Sequence, residues 1–137
     1  MAHWLVKEEP EHYGYHQLER DRKTVWAGVR NPLAQKHLRG MRRGDKVFYY
    51  HTGKQKAVVG VAKVTSDAYP DPDDPDGTLH VVDLAPDAAL PQPVTLAAIK
   101  ADAAFADFAL VRMSRLSVMP VTDQEWARIE KMSRTRA

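Results

Sequence analysis

A chain of 137 residues with 44% hydrophobic side chains suits a single domain with its own packed core. It has no cysteine, which excludes disulfides, thiolate metal sites and cysteine catalysis and fits a reducing cytoplasm. The net charge of +2 hides a split: residues 20–63 hold twelve Lys and Arg against Asp21 and Asp45, whereas residues 64–111 hold nine Asp against Lys100, so the chain carries an oriented field.

The elements follow in chain order. Residues 3–7 read as a first strand ending before Pro10. No basic, then apolar, stretch opens the chain, so no signal peptide is expected. No apolar run approaches the ~18 residues of a membrane span, so no membrane partner is expected. Residues 15–21 suit a short helix with Tyr15 and Leu18 on one side. Residues 25–26 form a brief strand before Gly28, a turn signal. Asn31 then reads as a helix N-cap with Pro32 at the first helical position. Leu33, Ala34, His37, Leu38 and Met41 recur at helical spacing, and Gly40 or Gly44 ends that helix.

Residues 46–51 are a strong strand, turned by Thr52-Gly53-Lys54 into a second arm at 57–65. Gly60 within that arm marks a bulge or a close backbone approach. Residues 67–77 are rich in Asp and Pro and read as a loop. Residues 78–84 form a strand, and 90–94 a separate extended piece. Thr95 caps a helix through Lys100, and 102–108 hold another short helical turn. Residues 116–119 are a last strand, 122–131 a terminal helix, and 133–137 a frayed end. Five or six strands with short helices between them make an α+β domain on a curved or closed, mostly antiparallel sheet.

Four tags stand out: Trp4-Leu5-Val6-Lys7-Glu8-Glu9-Pro10, Trp26-Ala27-Gly28-Val29-Arg30-Asn31, Val47-Phe48-Tyr49-Tyr50-His51 and Ser114-Arg115-Leu116-Ser117-Val118. Each sets an aromatic or polar group in or near a basic stretch. None holds a nucleophile with its base, a metal-ligand spacing or a phosphate loop. Aromatics among Arg and Lys suit stacking on bases and gripping a phosphate backbone.

In this order, with Gly44-Asp45 before the third tag and Ala68-Tyr69-Pro70-Asp71-Pro72 after it, the tags resemble the EVE domain, a branch of the PUA-like superfamily. The resemblance runs from about Trp4 to Ile129. It implies a PUA-like pseudo-barrel with a pocket on one face, and a reader of modified bases, whether modified cytosine in DNA or a modified RNA base. The family usually has Ser at Glu8, an acid at Ala27 and often an aromatic at Pro32. Glu8 adds a negative charge near the implied pocket, which hurts phosphate contact or favours a base that offers a donor group.

On this resemblance the base pocket draws on Trp26, Trp4, Tyr49, Tyr50, Asn31, His51, Ser114 and Ser117. Trp26 is a stacking platform or a core residue. As a platform, its truncation would cost binding more than folding. Trp4 has the same two readings, with core favoured. Tyr49 and Tyr50 must point to opposite faces. Asn31 can cap its helix or pair with a base edge. His51 lines the pocket or ends a strand, and the hydroxyls of Ser114 and Ser117 reach a base or satisfy strand ends. Lys7, Arg30 and Arg115 are candidate phosphate contacts, and Arg39, Arg42, Arg43 and Lys46 form the basic patch suited to the backbone.

His12 and His16 have a spacing that could hold a metal on a continuous helix, but Pro10 and Gly14 argue against that helix and no third ligand stands out. No metal or cofactor is expected. The expected partner is DNA or RNA carrying a modified base, and the expected state is a monomer. The alternatives are an RNA-processing or base-modifying enzyme and a small-molecule or nucleotide pocket. For an enzyme, Glu8, Glu9 and His51 are the acid–base candidates, and no motif joins them.

Overall fold

The computed structural model describes residues 1–135. Seven strands, β1 (His3–Glu8), β2 (Thr24–Trp26), β3 (Lys46–His51), β4 (Ala57–Val64), β5 (Tyr69–Pro70), β6 (His80–Thr95) and β7 (Val118–Val121), form one mixed sheet. Its order is β2-β6-β4-β3-β1-β7, with β5 on β6. Among the described residues only β1 with β3 is parallel; the other pairings are antiparallel. The register slips between Tyr49 and Tyr50 and again between Val58 and Gly60. Such irregularities bend and twist a strand, and the sheet curls into a half-barrel.

The expected strands at 78–84 and 90–94 are parts of β6, which continues through Pro86, Pro91 and Pro93. Proline is tolerated where no neighbour needs its N–H. β2 covers only Val82, Asp83 and Leu84, so the later half of β6 has β4 as its one neighbour in the sheet.

Among the described residues six short α-helices flank the sheet: α1 (Pro10–Tyr13), α2 (Tyr15–Asp21), α3 (Pro32–Arg39), α4 (Leu96–Lys100), α5 (Ala109–Arg112) and α6 (Asp123–Arg134). Gly14 separates α1 from α2. Asn31 caps α3, its Oδ1 accepting the Ala34 N–H at 3.0 Å. Thr122 caps α6 in a capping box with Glu125, which supplies two orphan donors with partners. Trp126 of α6 stacks on Phe48, with ring centroids 3.6 Å apart, and docks that helix on one face of β3. α6 also extends further than expected: Ser133 is buried within it, its hydroxyl donating to the Glu130 carbonyl at 2.6 Å. Of the end expected to fray, Arg136 and Ala137 lie outside the described residues.

Asp45 anchors the start of β3. Its carboxylate is buried and accepts the Trp4 indole N–H at 2.9 Å and the backbone N–H groups of Ala2 and Arg42. This ties the first strand to the turn before β3. No helix of the described residues is long and apolar enough to cross a membrane.

Candidate functional site

β1 and β3 run side by side, with Val6 opposite Tyr49, Lys7 opposite Tyr50 and Glu8 opposite His51. Alternation along a strand sends Val6, Glu8, Tyr49 and His51 to one face and Lys7 and Tyr50 to the other. On the first face Trp26 meets Tyr49 edge-on, centroids 5.5 Å apart and planes at 79°. Tyr15 and His51 flank the same Tyr49 ring in edge-on contacts. Tyr49 has no exposed surface, and its hydroxyl donates to the Tyr13 carbonyl. Burial pushes the Tyr49 phenol pKa well above the usual tyrosine value. Tyr49 therefore backs the site without lining it.

The cleft at this place measures about 260 Å³ and is bordered by Glu8, His12, Tyr13, Thr24, Trp26 and Ala27. Trp26 is 7% exposed. Among the described residues its indole N–H has no hydrogen-bond partner, yet it is not among the buried unpaired polar atoms, so it keeps contact with solvent. Glu8 presents a carboxylate whose two oxygens accept from the Glu9 N–H at 2.8 Å and meet His12 Nδ1 at 3.1 Å. The Tyr13 hydroxyl donates to Asp21 at 2.8 Å. Burial first, and then Asp21, raise the Tyr13 pKa. The cleft thus sets the aromatic side chains of Trp26 and Tyr13 beside the Glu8 carboxylate.

The loop after Trp26 is held in two ways. Gly28 has φ near 80°, a left-handed conformation open to glycine. Gln35 is buried, its amide nitrogen donating to the carbonyls of Val29 at 2.7 Å and His80 at 3.0 Å, while its oxygen accepts the His80 N–H. The sequence reading missed Gln35 because glutamine on a helix reads as solvated; its place beside Ala34 and one turn before Leu38 was the available signal. Tyr13 and Thr24 were also missed, since neither sits in a basic tag.

The other expected pocket residues scatter. Trp4 is 9% exposed and bonded to Asp45, with its ring edge against Gly40. The core reading of Trp4 therefore holds, and the pocket reading is corrected. Tyr50 faces the opposite side of the sheet, beside Lys7. His51 Nε2 accepts the Tyr15 N–H at 3.1 Å, which leaves the ring hydrogen on Nδ1, 2.7 Å from Gln55 Oε1. The ring ties α2 and the β3–β4 turn together and is corrected from pocket lining to bracing. Asn31 lines a separate cleft of about 370 Å³ with Leu33, Arg112, Ser114 and Arg115, while its oxygen caps α3. Ser117 is partly buried and offers its carbonyl to the Lys7 N–H at 3.0 Å.

The basic patch is narrower than its sequence. Lys46 pairs with Asp87. The Arg42 guanidinium turns back onto the carbonyls of Arg39 and Met41, each at 3.0 Å. Arg39, Arg43, Arg30 and Arg115 are exposed and form no ion pair among the described residues. His12 and His16 lie on α1 and α2 and meet Glu8 and Glu19, respectively.

The EVE domain family profile matches residues 2–132. The chain belongs to the EVE domain family. A Rhodopseudomonas palustris protein solved by NMR is 47% identical, with a TM-score of 0.93 over 97% of this chain and 93% of that one. Human THYN1, solved in complex with 5-methylcytosine-containing DNA, is 26% identical, with a TM-score of 0.89 over all of both chains. Chicken thymocyte nuclear protein 1 is 37% identical over 82 residues, which take in 51% of this chain and 34% of that protein. The chain thus spans about a third of the curated relative it matches there. The curled mixed sheet with short helices is the EVE and PUA-like fold that the tags implied.

Proposed function

We propose that this EVE domain is a nucleic-acid-binding module that reads a modified base in the cleft beside Trp26. The observation that carries the reading is the composition of that cleft, which Trp26 and the Glu8 carboxylate border together. The human relative bound to 5-methylcytosine DNA supports the choice of ligand class.

A base that leaves its stack loses a few kcal/mol, least at damaged or single-stranded positions. Contact with Trp26 and a hydrogen bond to the Glu8 carboxylate offset part of this cost. A carboxylate accepts from the exocyclic amino group of cytosine, whereas thymine presents a carbonyl there. Glu8 therefore selects an amino-bearing base, and the apolar wall from Val25 and Ala27 accepts a methyl group.

The test is fluorescence anisotropy with labelled single strands that carry one 5-methylcytosine, one cytosine or one thymine, as DNA and as RNA. The expected order is 5-methylcytosine, cytosine, thymine. Glu8→Ser should narrow the gap between cytosine and thymine by roughly 1–3 kcal/mol, the worth of one good base-edge pair. Equal affinity for all three strands would end the base-reading proposal.

Backbone contact has its own signature. Arg39→Glu and Arg43→Glu should weaken binding to all three strands alike. Each lost phosphate contact lowers the slope of log K against log salt by about one unit. Arg42→Ala, whose guanidinium is bound to carbonyls, should change the slope less. An unchanged slope in both charge reversals marks this face as solvated only.

A further inference from the structure

The face of the sheet turned away from Trp26 has a cleft of its own, about 270 Å³ in volume. Lys7, Lys56 and Lys100 border it, together with Tyr50, Thr52 and Ser114. The three lysines come from β1, the β3–β4 turn and the end of α4, so only the folded chain brings them together. Among the described residues no Asp or Glu lines this cleft. Among the described residues none of the three lysines forms an ion pair.

Lys56 and Lys100 are exposed, and two further observations mark the site. Lys7 is partly buried; its ammonium donates to the Ser114 carbonyl at 2.9 Å and lies 5.8 Å from the centre of the Tyr50 ring. Burial holds its pKa below the usual lysine value. Lys56 has φ near 43°, a left-handed conformation that side chains with a Cβ rarely adopt, and the Leu96 N–H locks it there by donating to its carbonyl at 2.8 Å. Backbone strain that persists is held by its surroundings and gathers at ligand sites. Leu96, Leu110 and Val111 form the apolar part of its lining.

We propose that this cleft is a phosphate site in which Lys7, Lys56 and Lys100 hold a phosphate ester. Uncompensated positive charge around one concavity calls for an anion. A free nucleotide and a nucleic-acid backbone supply the same chemistry. The site lies across the sheet from Trp26 and does not rest on the base-reading proposal.

The experiment follows the amide NMR signals of Thr52, Gly53 and Ser114 while the whole chain is titrated with cytidine 5′-monophosphate, cytidine, a ten-nucleotide DNA strand, or sulfate at matched ionic strength. It compares the unaltered protein with Lys56→Gln/Lys100→Gln and with Trp26→Phe. Saturable shifts with the monophosphate and none with cytidine identify a free nucleotide as the source. Shifts with the strand alone identify the backbone. In either case Lys56→Gln/Lys100→Gln weakens binding at least tenfold, and any shifts with the monophosphate survive Trp26→Phe. The proposal is overturned if no phosphate ligand moves the signals, if sulfate moves them equally, if the double variant binds unchanged, or if Trp26→Phe abolishes the monophosphate shifts.

Discussion

Trp26→Ala is expected to destabilise the domain by about 3–5 kcal/mol, the range for truncating a buried tryptophan. The ring is 93% enclosed, counting from its 7% exposure, and its packing partner Tyr49 is fully buried. Truncation leaves a cavity between β2 and β3 that Tyr49, pinned by its hydroxyl to Tyr13, cannot fill. Chemical denaturation measures the loss directly. A loss under about 1 kcal/mol would mean that the ring contributes little packing. This reverses the expectation from sequence that truncation would spare the fold. Recognition is therefore better probed with Trp26→Phe, which keeps an aromatic ring against Tyr49 and removes the indole N–H. That variant should remain folded and discriminate bases less well.

Gly60→Ala is the second large effect. A Cβ on Gly60 would lie 2.6 Å from the Cε1 and Cζ atoms of Tyr15. The ring cannot retreat. Its hydroxyl donates to the Val61 carbonyl at 2.7 Å, and its edge contact with Tyr49 closes the other side. Overpacking in a tight core typically costs 1–3 kcal/mol, and this site, with ring and strand both fixed, should lie at about 3 kcal/mol or above. A double-mutant cycle isolates the cause. In a Tyr15→Ala background the same Gly60→Ala change should become neutral or stabilise by up to about 1 kcal/mol, since alanine is the better strand residue. An equal penalty in both backgrounds would remove the ring from the explanation.

Local chemistry made much of the fold legible. Asn31-Pro32 announces a helix start by capping and fixed φ, and Thr122 with Glu125 does the same for α6. β3 matches its expected bounds because a dense apolar and aromatic run admits little else. β6 did not read as one strand because proline is a local breaker, and its tolerance here depends on which neighbour is absent. The last strand lies at Val118–Val121 and not 116–119, since Pro120 reads as an end but sits where no neighbour needs its N–H beyond β1.

The site was legible only in outline. Alternation foretold that Tyr49 and Tyr50 would part, but the face taken by each depends on the register with β1 and on Trp26 arriving from β2. His51 looked like a ligand-facing residue because nothing local shows that the N–H of Tyr15 will claim its Nε2. The cluster of Lys7, Lys56 and Lys100 spans most of the chain, so no window of sequence contains it.

β1 lies between β3 and β7, paired to one in parallel and to the other antiparallel. During synthesis it leaves the ribosome first among the strands, while β7 leaves last. A nascent chain that has made β3 and β4 can seat β1 on one side, yet the other side of Leu5 and Val6 keeps unpaired backbone groups until Val118 and Met119 emerge. An open apolar edge of this kind invites pairing with other chains. The domain is therefore most vulnerable to association while its translation is incomplete. A cut in the Asp- and Pro-rich loop would give two fragments, neither of which can finish the sheet without the other.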